Sequence, residues 1–334
     1  MHRITWVLGC LLAALAVEAQ PFHFPTANEF LFEPGGEEKF FVGTPGRTWV
    51  SGAFGCVRSE GGQMHEGLDI RCLLRDKHDE PTDPILATAS GQVAYVNRKA
   101  FLSNYGIYIV LRHQIEGMTV YSLYAHLSRV APEVAPGNWV QAGEVIGVMG
   151  RTANTRSTIS KERAHLHFEI ALLLNEHFAS WYAKEYPGQR NDHGDWNGQN
   201  MAGLDPRQIL LTQRLHGERF SLVHVIRSQP ELMRVMVRDT DFSWMRRYPQ
   251  LVAPNPVADA EGIAGYEVVF NFNGVAFQLI PRAASEISST AEVELLSVNE
   301  AEYELRGCRD FVVRRGSSWK LTRSGERLLE LLLY

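Results

Sequence analysis

Two histidines stand two residues apart in an otherwise apolar run, Ala164-His165-Leu166-His167-Phe168-Glu169. In a β-strand alternate side chains share a face, so both imidazoles would turn the same way, their Cα atoms roughly 7 Å apart. That suits one imidazole that binds a metal and a neighbour that handles a proton or a bound water. The competing reading is a pair of histidines on a solvated strand face, because His-x-His is short and common. What decides between them is whether the rest of the chain offers partners.

It does. Met64-His65-Glu66-Gly67-Leu68-Asp69-Ile70 supplies a His and an Asp four residues apart. This is not the helical His-Glu-x-x-His zinc motif, since Asp69 stands where the second His would be and Gly67 weakens a helix. It reads as a loop running into a strand, with His65 and Asp69 converging from the two. Tyr124-Ala125-His126-Leu127 adds a further His at the end of an apolar run. Catalytic zinc sites use three protein ligands and keep a position open for water. Two His and one Asp make such a set, and two histidines remain for proton transfer.

With these residues in view the chain resembles the M23 metallopeptidases, the lysostaphin- and LytM-like peptidoglycan endopeptidases. Their pattern of His-x-Gly-x-Asp, Tyr-x-His-Leu and His-Leu-His-Phe-Glu reads here as His65 to Asp69, Tyr124 to Leu127 and His165 to Glu169. Ser51 to Gly55 resembles the lead-in to the first motif. Pro136 to Gly150 resembles the hairpin before the last, and Leu204-Asp205-Pro206 the segment that closes the domain. The resemblance implies a Zn2+ held by His65, Asp69 and His167. It also implies that His126 and His165 contact the attacking water and the developing oxyanion. The chain departs from the pattern before the last motif, where Thr152 to Arg163 replaces a short Gly/Ser/Pro turn. That puts the shape of the substrate groove in question, not the ligands.

Residues 1–19 read as a secretory signal, with Arg3 as a basic start, an apolar core from Ile4 to Val17, and small residues for cleavage near Ala19. This is favoured over a lipoprotein signal at Cys10 and over an uncleaved anchor. The apolar run is short for a membrane span. Once the signal is removed about 315 residues remain, enough for two domains. The net charge of -5, with no long basic run, argues against a nucleic-acid partner. Cys56 and Cys72 bracket the first motif, so the expectation is a bridge between them that holds His65 and Asp69 in place. Cys308 is then left as a buried small hydrophobe.

Residues 20–48, rich in Pro, Gly and aromatics, read as an arm that packs on the next domain, and nothing in them marks an inhibitory segment. Residues 49–216 read as the peptidase domain. Candidate strands run over Ile85 to Ala89, Gln92 to Asn97, Tyr105 to His113 and Met118 to Ala125, punctuated by glycines. They predict a mainly β domain, an antiparallel sheet or flattened barrel. His113 is given a structural role. Glu176 to Tyr186 has helical spacing. The loop 187–200 carries Asp192, His193 and Asp195, and is read as a solvated loop on the rim of the groove rather than a ligand set. Residues 217–334 lie outside the resemblance and read as a small α+β domain. There Asn273-Gly274 marks a hairpin between Tyr266 to Phe272 and Val275 to Leu279, and a short helix ends the chain.

The function expected is that of an exported zinc endopeptidase cutting peptide cross-links of bacterial peptidoglycan, in the periplasm, cell envelope or outside the cell. The substrate is what the resemblance implies. The basic loop Arg156 to Arg163 is a candidate contact for stem-peptide carboxylates. Two other readings stand beside it. One is a non-catalytic regulator of another wall hydrolase, a role that usually goes with lost metal ligands. The other is a zinc hydrolase acting on a different amide, such as an N-acetyl group.

Overall fold

The computed structural model describes residues 21–154 and 159–334. The signal-like segment 1–19, with Cys10, and Arg156 of the basic loop lie outside the described residues.

The apolar run around the two histidines forms the strand His165–Leu173, in which every residue is buried. It lies one strand in from an edge of a seven-stranded antiparallel sheet. Met118–Leu127 pairs along one side, followed outward by Ile107–Ile115, Gly91–Asn97 and Trp139–Val140. On the other side the strand has two successive partners, Leu68–Arg71 against its first half and Met201–Leu204 against its second. The sheet is open, so of the two expected forms the antiparallel sheet applies and a closed barrel does not. Pro136 to Gly150 also differs from expectation. Its strands Trp139–Val140 and Val145–Val148 do not pair with each other. The first edges the main sheet, and the second lies between Pro84–Leu86 and Arg129–Val130 in a three-stranded sheet.

The arm packs as expected. Phe40 and Phe41 are fully buried, Phe41 bridges to Ile70, and the Val42 amide donates to the Asp69 carbonyl at 2.9 Å. The arm therefore braces, from outside, the strand that carries Asp69. His113 is buried between the Ser90 carbonyl, 3.0 Å from Nδ1, and the Ser122 hydroxyl, 2.7 Å from Nε2, which is a structural position. The helix Phe178–Glu185 and the capped helix Pro206–His216 follow.

Residues 217–334 contain a four-stranded antiparallel sheet, built from Met233–Val237, Gly265–Phe270, Ala276–Arg282 and Val293–Val298. Asn273-Gly274 makes the expected turn, with Gly274 at a φ of +83° that favours glycine. A hairpin, Val312–Arg315 with Ser318–Leu321, and the helix Arg323–Leu333 complete the α+β arrangement. One continuous apolar core runs from Phe22 to Leu332 through both parts. Across the junction, the Leu173 amide donates to the Tyr248 hydroxyl at 2.8 Å, and Asn175 Nδ2 to the Leu331 carbonyl at 2.8 Å.

The cysteine pairing corrects the expectation. Cys56 is bonded to Cys308, and Cys72 is a buried free thiol. Cys56 lies in the strand Gly55–Arg58, paired with Gln63–His65, so the bridge ties the hairpin that ends in His65 to the far end of the chain. Cys72 instead follows the strand Leu68–Arg71 and turns into the core. The bridge closes a loop of 252 residues, for which chain entropy implies about 5 kcal/mol of stabilisation. The double variant Cys56→Ser/Cys308→Ser should lose about that much unfolding free energy in urea, with a larger m-value because the unfolded chain expands once the loop is open. An unchanged midpoint for the oxidised protein would contradict the assignment.

Candidate metal centre

The sheet register brings the ligand candidates together. His167 sits directly opposite Asp69 on one side and Ala125 on the other. Opposed residues in an antiparallel pair share a face with Cβ atoms about 5 Å apart. The short link Glu66-Gly67 folds His65 back over this pair. Gly67 has to be glycine, because a Cβ there would sit 2.3 Å from the Phe168 carbonyl oxygen of the strand His165–Leu173. His65 Nε2, His167 Nδ1 and Asp69 Oδ1 then lie 3.1 Å from one another. All three residues are buried.

The other ring nitrogens show which lone pairs face the cluster. His65 Nδ1 lies 2.7 Å from the Ala53 carbonyl, which can only accept, so this nitrogen carries the proton and Nε2 is the lone pair. His167 Nε2 donates to Glu169 Oε1 at 2.9 Å, leaving Nδ1 as its lone pair. Two imidazole nitrogens and a carboxylate oxygen thus converge, and loss of the protons shared among them frees both imidazole lone pairs for a cation. That donor set fits a divalent cation with nitrogen and oxygen ligands, and the outward hydrogen bonds are those that orient metal-binding histidines. Arg58 donates to Asp69 Oδ2 at 2.6 Å and fixes the outer oxygen of the carboxylate. Burial pushes the Asp69 pKa up, but His165 and His65 and the hydrogen bonds from His167 and His65 outweigh it. The carboxyl is held well below its usual range. His167 is pushed the other way. Burial favours its neutral form, yet the hydrogen bonds to Asp69 and Glu169 raise it to about 10.

His165 and His126 stand beside this set. His165 Nδ1 donates to the Arg163 carbonyl at 2.6 Å, and its Nε2 lies 3.4 Å from Asp69 Oδ1. His126 Nδ1 donates to the Thr152 carbonyl at 2.9 Å, and its ring is centred 4.9 Å from that of His165. His126 has a φ of +62°, where the pairing of Met118–Leu127 with Ile107–Ile115 shifts register. Bulges of this kind re-aim a side chain, and such a φ costs about 1–3 kcal/mol in a residue with a Cβ. Burial, then the neighbouring His165 and His167, keeps the His126 pKa well below 6.5. Burial also lowers that of His165, against the pull of Asp69.

All five sequence candidates are therefore brought to one place. Asp192, His193 and Asp195 are not. His193 differs from a solvated loop residue in being buried, with Nδ1 3.1 Å from the Tyr95 hydroxyl. Lys161, expected to meet substrate, is engaged with Glu80 at 3.3 Å and the His78 carbonyl at 2.6 Å. Arg163 donates to the Gly43 carbonyl. Three further residues shape the site. Glu169 was legible, since it lies two residues after His167 on the same strand face. Arg58 and Tyr105 carried no signal, because register and loop packing bring them in. The Tyr105 ring lies 5.9 Å from that of His167. Burial, with Glu169 and Glu66 nearby, holds its hydroxyl protonated.

Residues 63–178 match the family model described as Peptidase family M23. Among solved structures, the chain is similar to the catalytic domain of lysostaphin from Staphylococcus simulans, at 24% identity and a TM-score of 0.27, over 40% of this chain and 82% of that one. A putative glycyl-glycine endopeptidase lytM from Ruminococcus gnavus is 30% identical with a TM-score of 0.26, over 32% of this chain and 39% of that one. A zinc containing peptidase from Vibrio cholerae is 22% identical with a TM-score of 0.27, over 39% and 35%. No curated protein matches the chain. The family carried by the motifs is thus the family of the segment, an M23 peptidase domain. No helix among the described residues is long and apolar enough to cross a membrane.

If Glu169 orients His167, Glu169→Gln should weaken zinc affinity about 10–100-fold, the usual cost of removing an outer partner of a metal-binding His. Competition titration against a chromogenic chelator measures this. An unchanged affinity would show that Glu169 does not act on the ligand.

Proposed function

We propose that this chain is an exported zinc endopeptidase that hydrolyses peptide cross-links of bacterial peptidoglycan, with residues 49–216 as the peptidase domain and 217–334 as a small α+β C-terminal domain. The observation that carries this reading is the convergence of two imidazole nitrogens and a carboxylate oxygen, with two further imidazoles alongside. The M23 match of residues 63–178 supports the peptidase chemistry. The signal-like first 19 residues and the Cys56–Cys308 bridge support export, since disulfides persist in oxidising compartments.

His65, Asp69 and His167 would hold the zinc. Bound there, zinc supplies Lewis-acid polarisation of the scissile carbonyl and a lowered pKa for water. His126 and His165 do the proton work. Each has Nδ1 committed to a backbone carbonyl, so each neutral ring offers Nε2 as a base. Their lowered pKa values keep both unprotonated near pH 7. One Nε2 takes a proton as water adds to the carbonyl carbon. The imidazolium so formed faces the developing oxyanion and then gives the proton to the leaving amine as the C–N bond breaks.

The test pairs zinc content with muropeptide release from purified wall. Wild type should carry about one zinc, as a three-ligand site does, and free new amines from cross-linked muropeptides. His167→Ala should lose both. His126→Ala should keep zinc while turnover falls about 10²–10⁴-fold, the span of lost general acid–base catalysis. Zinc binding with intact wall would overturn the endopeptidase in favour of a regulator. Released acetate without new amines would point to a deacetylase.

A further inference from the structure

Beside the ligand cluster lies a cleft of about 400 Å³. Glu66, next to the ligand candidate His65, forms one wall. Ser103 lies on the loop whose Tyr105 carbonyl accepts from the His126 amide. Asn191 and His193 come from the loop 187–200, and Arg309 from the C-terminal part. The last two segments lie beyond the residues matched to the peptidase family.

Two features mark this cleft as built for a ligand. Ser103 Oγ, Asn191 Nδ2 and His193 Nε2 are buried at its walls, and none makes a hydrogen bond within the protein. Buried polar groups are normally paired, so three in one cleft ask for partners from outside. The second is a cation with unspent donors. Arg190 and Asp192 neutralise each other at 2.5 Å. Arg309 commits only Nε, which donates to Asn273 Oδ1 at 2.8 Å, and its nearest carboxylate, on Glu66, is 3.8 Å away, beyond hydrogen-bond reach. Its outer nitrogens remain, in the planar fork that pairs two-point with carboxylates.

Arg309 is also held in place. Asn273 Nδ2 donates to the carbonyl of Gly203 on the edge strand of the main sheet, and Cys308 next to Arg309 is bonded to Cys56. The first tie reaches the strand paired with His165–Leu173, and the second reaches the hairpin that ends in His65.

We propose that this cleft is a subsite for the peptide on one side of the scissile bond, and that Arg309 selects a peptide bearing a free carboxylate there. This rests on the peptidase reading. Carbonyl and amide groups of the peptide meet Ser103, Asn191 and His193, while the carboxylate meets the Arg309 guanidinium. The C-terminal part thereby contributes to substrate choice.

Calorimetry with uncross-linked muropeptides, which offer no cross-link to cut, tests this apart from turnover. The muropeptides are used with carboxyl groups free or converted to amides by carbodiimide and ammonia. Wild type should bind the free acids at least about tenfold more tightly than the amides, the loss expected for one charge-assisted pair. Arg309→Gln should bind both forms equally and at the weaker level. Arg309→Lys, which keeps the charge but not the fork, should fall between. Melting midpoints and zinc content equal to wild type show that the variants are folded. Two results would overturn the proposal: free acids bound equally by wild type and Arg309→Gln, or neither form bound by wild type. Failure of wild type to cut cross-linked muropeptides, with the carboxylate preference intact, would instead count against the endopeptidase reading.

Discussion

The site depends on one cross-strand pairing, Asp69 opposite His167. A β-strand has a side-chain period of two, so a slip of one residue would send Asp69 to the far face and leave His167 beside an apolar neighbour. The flanking residues prevent that slip. Leu68, Ile70, Leu166 and Phe168 alternate with the polar positions and are fully buried on the opposite face. The apolar core on one side of the sheet thus sets the geometry of the polar cluster on the other. Gly67 and the bulge at His126 are local departures from regular strand that bring two more imidazoles onto the same face.

Support for that pairing comes from both ends of the chain. The arm hydrogen-bonds to the backbone of Asp69 from outside. The C-terminal part shares the same core, caps the far half of the strand His165–Leu173 through Tyr248, and reaches the His65 hairpin through Cys308. Arg58 on that hairpin holds the carboxylate of Asp69. The cluster of His65, Asp69 and His167 is therefore braced from both sides.

What the sequence made legible follows from how local each signal is. His165, His167, Asp69 and His126 stood out because strand alternation and short motifs place them within a few residues. The turn at Asn273-Gly274 was readable for the same reason. The cysteine pairing was not. Proximity in sequence favoured Cys72, but the hairpin turns Cys56 away from Leu68–Arg71 and toward a residue 252 positions on. The burial of His193 and the placement of Arg309 in the cleft escaped notice too, since packing between distant loops decides them. The basic loop misled in part, because Lys161 finds an internal acid in Glu80.

The Cys56–Cys308 link also bears on timing. Its second cysteine lies 252 residues after the first, so the hairpin holding His65 gains its covalent anchor only after residue 308 has been made and the two thiols oxidised. A chain interrupted before residue 308 has all five site residues and the complete peptidase segment, yet lacks the bridge and Arg309. Full assembly of this site therefore waits on a residue far along the chain and on oxidising surroundings, rather than on the motifs alone.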